Sequence, residues 1–152
     1  MNIAFANELS ILCDNLNIDI SELIRLANRH PRVNILNPGP GVGGHCIAVD
    51  PWFIINKDPE NARIIKTARE INIYKTEWVI EKIKNEALKL ENKNHKKPKI
   101  ACLGLSFKPD IDDLRESPAL YIARKLKSYG YEILAVEPNI DYHDDFEIFH
   151  HD

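Results

Sequence analysis

"KIACLGLSFKPDIDDLRESPALYIARKLKSYGYEILAVEP", residues 99 to 138, decides the fold class of this chain. Lys99 to Phe107 reads as an apolar strand ending in a turn, and Tyr131 to Pro138 as a second strand. Between them Ser117 stands as a helix cap. Pro118 takes the first helical position, where its missing N–H is not needed, and Gly130 lies just past the helix end. Strand, turn, helix and strand together predict a parallel crossover, since parallel strands need a connection long enough to return to the same end of the sheet. Two strands do not complete a doubly wound sheet. The pattern therefore predicts the first βαβ segment of an α/β unit over residues 99–152, with a tail of few apolar residues.

Upstream the pattern becomes helical. The polar run "ENKNHKKPK", residues 91 to 99, reads as a solvated linker, placed at 92–98, whose lysines are surface charge. From Glu60 to Glu91 there is neither proline nor glycine, and Ile64, Ala68, Ile71, Tyr74, Trp78, Val79, Ile83, Ala87 and Leu90 mark an apolar stripe. At 1.5 Å per residue a helix over 60–91 is roughly 45 Å long, more than a small domain needs. It either joins two units or lines a subunit interface. Pro31, Pro38, Pro40, Pro51 and Pro59 make the segment before it irregular. Residues 3 to 16, with Phe5, Leu9, Leu12 and Leu16 at helical spacing, and 21 to 29, after a Ser21 cap, read as two packed helices. The chain opens almost in full helical pattern, which reads as a domain start with something removed upstream. The fold class is mainly α with a partial α/β unit, divided at 1–59, 60–91, 92–98 and 99–152.

Composition narrows the function classes. A chain of 152 residues, 44% apolar and 28% charged, holds enough apolar surface for one compact unit or two small ones. Twenty basic against 23 acidic side chains give a formal charge of -3, which leaves no basic excess for nucleic acid as a general partner. Cys13, Cys46 and Cys102 form no CxxC pair, so neither a disulfide framework nor a zinc module is expected, and the reading is cytoplasmic. No apolar run reaches the roughly 20 residues that span a bilayer, and the N-terminus lacks signal-peptide order, so membrane insertion is not expected.

The least ordinary stretch is "NPGPGVGGHCIAVDP", residues 37 to 51. Gly39, Gly41 and Gly44 spell G-x-G-x-x-G, but Pro38 precedes them and Pro51 cuts off a long helix after them. The strand-to-helix context of a dinucleotide loop is missing. Glycines here permit close backbone approach to a ligand and leave room around Cys46 for a covalent adduct. Cys46 is then a candidate nucleophile toward an aldehyde, with Asp50 one turn on to order water or handle protons. The competing reading makes Cys46 a buried small hydrophobe and Asp50 a cap before Pro51, and spacing leaves both open. His45 and Cys46 are awkwardly adjacent for a metal, no third ligand is close, and none is expected. Cys13 and Cys102 lie in apolar patterns and read as core.

The second candidate is "GLSFKPDIDDLRES", residues 104 to 117, at the carboxyl end of the first strand, where open α/β sheets bind ligands. Lys108 and Arg115 could contact a phosphate or sugar, held by Asp110, Asp112 and Asp113. A surface loop with internal salt bridges is the alternative.

Taken together, "NPGPGVGGHCIAVDPWF" and "GLSFKPDIDDLRESPA", separated by a long helix, resemble the nucleotide-sugar 6-dehydrogenases that oxidise a UDP-sugar twice. The lead-in "ANRHPRVNIL", residues 27 to 36, and His45 favour the branch acting on UDP-N-acetyl-D-mannosamine. The resemblance implies a helical dimerisation domain over 1–59, a connecting helix over 60–91, and the start of a Rossmann-like UDP-binding domain over 99–152. It implies as well an NAD domain that these residues do not include. NAD is then the cofactor of the full enzyme, with none expected bound here, and the partners are a UDP-sugar and a second copy in a homodimer. By the same resemblance Cys46 matches the catalytic nucleophile and Asp50 its partner. Gly39, Gly41, Gly43 and Gly44 match the substrate-wrapping loop, and Asn34, Ile35 and Leu36 the uridine-side segment. Lys108 and Arg115 match substrate contacts, Arg115 being also a candidate cofactor contact, and Arg32 a contact reaching across a dimer. The implied chemistry is oxidation to the uronate through a Cys46 thioester, for cell-envelope polysaccharide synthesis. Three alternatives stand beside it: a dimerisation module without activity of its own, a dehydrogenase of another UDP-sugar, and a piece that complements a separately encoded NAD domain.

Overall fold

The computed structural model describes residues 1–150, so the last two residues of the expected 99–152 unit lie outside the described residues. In chain order the elements are α1 (Asn2–Asn15), α2 (Ile20–Ala27), α3 (Asp50–Lys57), α4 (Arg63–Asn94), β1 (Lys99–Leu103), α5 (Pro118–Ser128), β2 (Glu132–Val136) and β3 (Ile148–Phe149). The architecture is mainly helical with a small parallel sheet, as the sequence pattern predicts. Two compact units share it. The first is Met1–Val42 with Cys46–Lys75; the second is Gly43–His45 with everything from Thr76 on.

In the first unit, helix ends follow local chemistry. The Asp19 carboxylate, rather than Ser21, caps α2 by accepting from Ser21 N at 2.8 Å and Glu22 N at 3.3 Å. Helix α4 starts at Arg63 rather than Glu60 and continues to Asn94 rather than Glu91. Asp58 explains the late start, since its carboxylate accepts from the Asn61 backbone N–H and holds a turn there. His95, with φ 54°, ends the helix in the left-handed region.

The apolar stripe of α1 is not its buried face. Ala4, Ala6, Asn7, Ser10 and Cys13 are buried, whereas Phe5, Leu12 and Leu16 are 54%, 51% and 66% exposed. Small side chains let one helix approach another closely, so the packed face of α1 is the one periodicity passes over. Its partner face on α4 is likewise polar: Arg69, Asn72 and Lys75 are buried beside Ala68, while Ile64 and Tyr74 are exposed. Buried polar groups must be paired. Asn7 Nδ2 donates to Asn72 Oδ1 at 2.9 Å, and Lys75 Nζ to Ser10 Oγ at 2.8 Å.

The second unit is built on the expected crossover. Strands β1 and β2 pair in parallel from Lys99 opposite Glu132 to Leu103 opposite Val136, joined by α5. Ser117 caps α5, accepting from Leu120 N and donating from Oγ to Leu105 O at 2.6 Å. Gly130, at φ 79°, follows the helix end. The tail adds β3, parallel to β2, with Ala135 opposite Ile148, so the unit has three strands rather than the two read from sequence. The apolar residues of "FEIF", residues 146–149, are the short signal for it. Leu105, Leu120, Ala123, Ala135 and Phe146 form one apolar cluster; Ile80 of α4 packs with Ile122 and Leu126 in another.

Glu137, just past β2, is 2% exposed. Its carboxylate accepts from the backbone N–H of Leu105 at 2.7 Å, Ser106 at 3.1 Å and Asn139 at 3.1 Å. Burial pushes its pKa up, but the amides of Leu105, Asn139 and Ser106 outweigh burial and hold it below the ordinary glutamate range. A folded-state value below the unfolded one means a contribution present in full above the ordinary 4.5 and lost as pH falls through the folded value. Urea unfolding across a pH series is the check. Glu137→Gln should cost about 1–3 kcal/mol at neutral pH, and the gap to the unsubstituted protein should shrink below about pH 4.5.

Candidate active site

The segment leading to the glycine loop is clamped by one side chain. Asn28, just after α2, donates from Nδ2 to Ile35 O at 2.9 Å and accepts from Ile35 N at Oδ1 at 2.8 Å. This fixes Ile35, which is half-buried, and leaves Arg32, Asn34 and Leu36 exposed around it. The Arg32 N–H is turned back onto His30 Nδ1 at 3.2 Å. Farther along, Gly39 N donates to the fully buried Asn7 at Oδ1, 2.9 Å away.

The chain re-enters the first unit at Cys46, which is exposed. Its carbonyl accepts from Val49 N at 3.1 Å and Asp50 N at 2.8 Å, closing one helical turn ahead of α3. Residues i and i+4 of such a turn share a face, so Cys46 and Asp50 stand on the same side of it. Both are exposed, which removes the reading of Cys46 as a buried hydrophobe. Pro51 suits the first turn of α3, where no backbone donor is needed.

Between these segments, Gly43 and Gly44 pack within the second unit against the loop after β1. A Cβ on Gly43 would lie 2.4 Å from Phe107 Cβ, 2.8 Å from Glu116 O and 3.0 Å from Pro118 Cδ, so only glycine fits. Gly44, at φ 84°, donates its N–H to Arg115 O at 3.0 Å and lies under the Phe107 ring. Gly43 and Gly44 of the first motif therefore meet the second motif inside the second unit. Neither Phe107 nor Arg115 O is visible in the sequence as a loop contact, because spacing carries no information about which distant backbone a glycine approaches.

The β1–α5 loop is itself braced. Glu137 holds the amides of Leu105 and Ser106, and Ser106 Oγ donates to Ile111 O at 2.8 Å. Asp113, rather than Asp110 or Asp112, pairs with Arg115, taking Nε at 2.9 Å, Nη2 at 2.7 Å and the Arg115 backbone N–H at 2.9 Å. The Arg115 side chain and then its N–H hold the Asp113 carboxyl down at about 2. Arg115 is thus fixed in direction while 65% of its side chain remains open to solvent. Lys108 is exposed with Nζ 5.8 Å from the Phe107 ring centroid. Asp110 at φ 60° and Glu116 at φ 51° sit in the left-handed region, uncommon for non-glycine residues and concentrated here in one loop. Of the other cysteines, Cys13 is buried and Cys102 half-buried, where burial pushes its thiol up.

The sites expected from sequence thus fall into two sets. Arg32, Asn34, Ile35, Leu36, Gly39, Gly41, Cys46 and Asp50 belong to the first unit; Gly43, Gly44, Lys108 and Arg115 belong to the second. Among the described residues no group of three or more His, Cys, Asp or Glu side chains is arranged to hold a metal. No described helix is long and apolar enough to cross a membrane.

Comparison with known proteins identifies both parts of the chain. Residues 1–74 match the central domain of the UDP-glucose/GDP-mannose dehydrogenase family, and residues 101–150 match its UDP binding domain. The UDP-N-acetyl-D-mannosamine dehydrogenase of Campylobacter jejuni is 67% identical over 141 residues, which cover 92% of this chain and 33% of that protein. The NDP-N-acetyl-D-galactosaminuronic acid dehydrogenase of Ralstonia solanacearum is 57% identical over 141 residues, 92% of this chain and 32% of its own. Among solved structures, the UDP-N-acetyl-mannosamine dehydrogenase of Staphylococcus aureus is similar with a TM-score of 0.79 at 48% identity, covering 96% of this chain and 34% of that one. The chain spans about a third of the length of the curated relatives it matches. With the glycine-cysteine loop inside one matched domain and the Lys108–Arg115 loop inside the other, the chain belongs to the UDP-glucose/GDP-mannose dehydrogenase family.

Proposed function

We propose that this chain is part of an NAD-dependent UDP-N-acetyl-D-mannosamine 6-dehydrogenase, oxidising the sugar to its uronate in two steps in the cytoplasm, for cell-envelope polysaccharide synthesis. One observation carries the reading: an exposed Cys46 whose carbonyl accepts the Asp50 N–H at 2.8 Å, which puts thiol and carboxylate on one face of a turn. The similarity to enzymes with UDP-N-acetyl-D-mannosamine in their names supports the choice of sugar. The Ralstonia relative keeps another N-acetylated nucleotide sugar as the alternative.

In both oxidations NAD is the electron acceptor. Among the described residues, Gly39, Gly41 and Gly44 lie outside any strand-to-helix turn. Glu137, where dinucleotide folds offer a ribose contact after the second strand, has its oxygens on backbone amides. The steps that fall to this chain are covalent. At the aldehyde level the Cys46 thiolate adds to C6, and the carbonyl oxygen takes a proton to give a thiohemiacetal. At the acid level C6 is held as a thioester. Water adds to C6, the C–S bond breaks, the thiolate returns to Cys46 and the acid loses its proton as the uronate. Asp50 orients that water and takes its proton. Lys108 and Arg115 supply positive charge for the UDP diphosphate, Arg115 with its fork already aligned by Asp113. Arg32, Asn34, Ile35 and Leu36 take the uridine side, and Gly39, Gly41, Gly43 and Gly44 belong to the loop that wraps the sugar.

A homodimer is part of the proposal, supported by Phe5, Leu12, Leu16, Ile64 and Tyr74, each more than half exposed in the first unit. These residues also support the alternative of a dimerisation module without activity of its own.

Grafting the chain in place of its counterpart in the Escherichia coli relative, 60% identical over 144 residues, tests the chemistry. The chimaera should reduce NAD with UDP-N-acetyl-D-mannosamine, Cys46→Ser should abolish uronate formation, and the 152-residue chain alone should give no NADH. Uronate production by the Cys46→Ser chimaera would remove the thioester mechanism. Gly43→Ala, with its Cβ 2.4 Å from Phe107 Cβ, should lower stability in urea unfolding by about 1–3 kcal/mol. Sedimentation velocity of the chain at micromolar concentration should show a dimer that Tyr74→Glu dissociates; a monomer before substitution would remove the homodimer.

A further inference from the structure

Both stems of the segment carrying Cys46 are held from one face of α4. On the upstream stem, Gly39 N donates to Asn7 Oδ1 at 2.9 Å, and Asn7 Nδ2 donates in turn to Asn72 Oδ1 at 2.9 Å. On the downstream stem, the Arg69 guanidinium lies 6.0 Å from the ring centroid of Trp52 in the first turn of α3. Arg69 and Asn72 are three apart on α4 and 8% and 6% exposed, so they project from one buried face. Each contact lies within the first unit.

The relay has a direction. Gly39 offers an N–H, so Asn7 must turn its oxygen to Gly39 and its amide nitrogen to Asn72, whose oxygen must then face Asn7. Asn7 is fully buried, and reversing any amide would set donor against donor or acceptor against acceptor inside the protein. The loop's first glycine is thereby tied to α4 through one polarised chain. Trp52 ties the far end through its cation–π contact with Arg69.

We propose that Asn7, Asn72 and Arg69 are positioning residues that set where the Cys46 thiol and the Asp50 carboxylate stand, acting through the backbone of residues 39–52 without touching substrate. The inference rests on the reading of Cys46 as nucleophile. Its test does not depend on turnover: amide hydrogen exchange over residues 38–52 and the rate of Cys46 alkylation by iodoacetamide, followed by peptide mass mapping on the 152-residue chain. Asn7→Asp, which sets a carboxylate oxygen against Asn72 Oδ1, should raise exchange at Gly39 about fivefold or more and shift the Cys46 alkylation rate. Arg69→Gln should loosen residues 50–52 first. Should Asn7→Asp unfold the first unit, Asn72→Ala removes the acceptor and carries the same expectation. Unchanged exchange and alkylation in a folded Asn7→Asp or Asn72→Ala protein would overturn the proposal. Turnover by the Cys46→Ser chimaera would remove the nucleophile reading while leaving these exchange results standing.

Discussion

A wholly buried side-chain amide has to satisfy both of its ends, and Asn7 does so with a backbone N–H on one side and another asparagine on the other. Much of the first unit follows from that requirement. Helix α1 must turn its small residues inward so that Asn7 can reach α4, and α4 must in turn present polar residues where an amphipathic helix would present leucine. The large apolar side chains of α1 are left outside. Gly39 then rests on a polar floor that dictates direction as well as distance. An apolar floor would have provided burial without orientation.

The second unit solves a related problem with a carboxylate. The loop after β1 carries two non-glycine residues in left-handed conformation and needs its first amides satisfied as it leaves the sheet. Glu137 supplies two of those partners from the end of the neighbouring strand, and Ser117 takes the Leu105 carbonyl while capping α5. Strand end, loop and helix start are fixed together. Arg115 inherits that rigidity: its side chain is locked on Asp113 and its carbonyl holds Gly44.

Much of this was legible in the sequence because local chemistry wrote it. Ser117, Pro118 and Gly130 bracket α5 as their residue types demand, and the absence of proline and glycine after Glu60 announces α4. The spacing of Cys46 and Asp50 allowed the turn that joins them without requiring it. What was not legible depended on partners distant in the chain. Periodicity assigned the apolar stripe of α1 to the core because it weighs hydrophobicity and not size, while the packed face is small and polar. Asn7, Asn72 and Glu137 look like ordinary surface residues until their buried partners are known. A faint signal did exist, since Arg69, Asn72 and Lys75 recur at helical spacing just as Asn7 and Ser10 do. Strand β3 was missed because two residues are too few to declare a period.

The glycines of residues 39–44 illustrate how one letter can stand for different demands. At Gly39 a Cβ would meet only Gly41 O, at an ordinary 3.8 Å, so what that position contributes is its N–H. At Gly43 the demand is volume, set by Phe107, Glu116 and Pro118, and at Gly44 it is dihedral angle as well. A library that randomised this loop would therefore not return a uniform preference for glycine. Position 39 would tolerate any residue that keeps a donor and exclude proline; position 43 would accept a side chain only alongside changes in the β1–α5 loop; position 44 would favour residues at ease with positive φ. The loop is three separate selections in series, and each reports on a different neighbour.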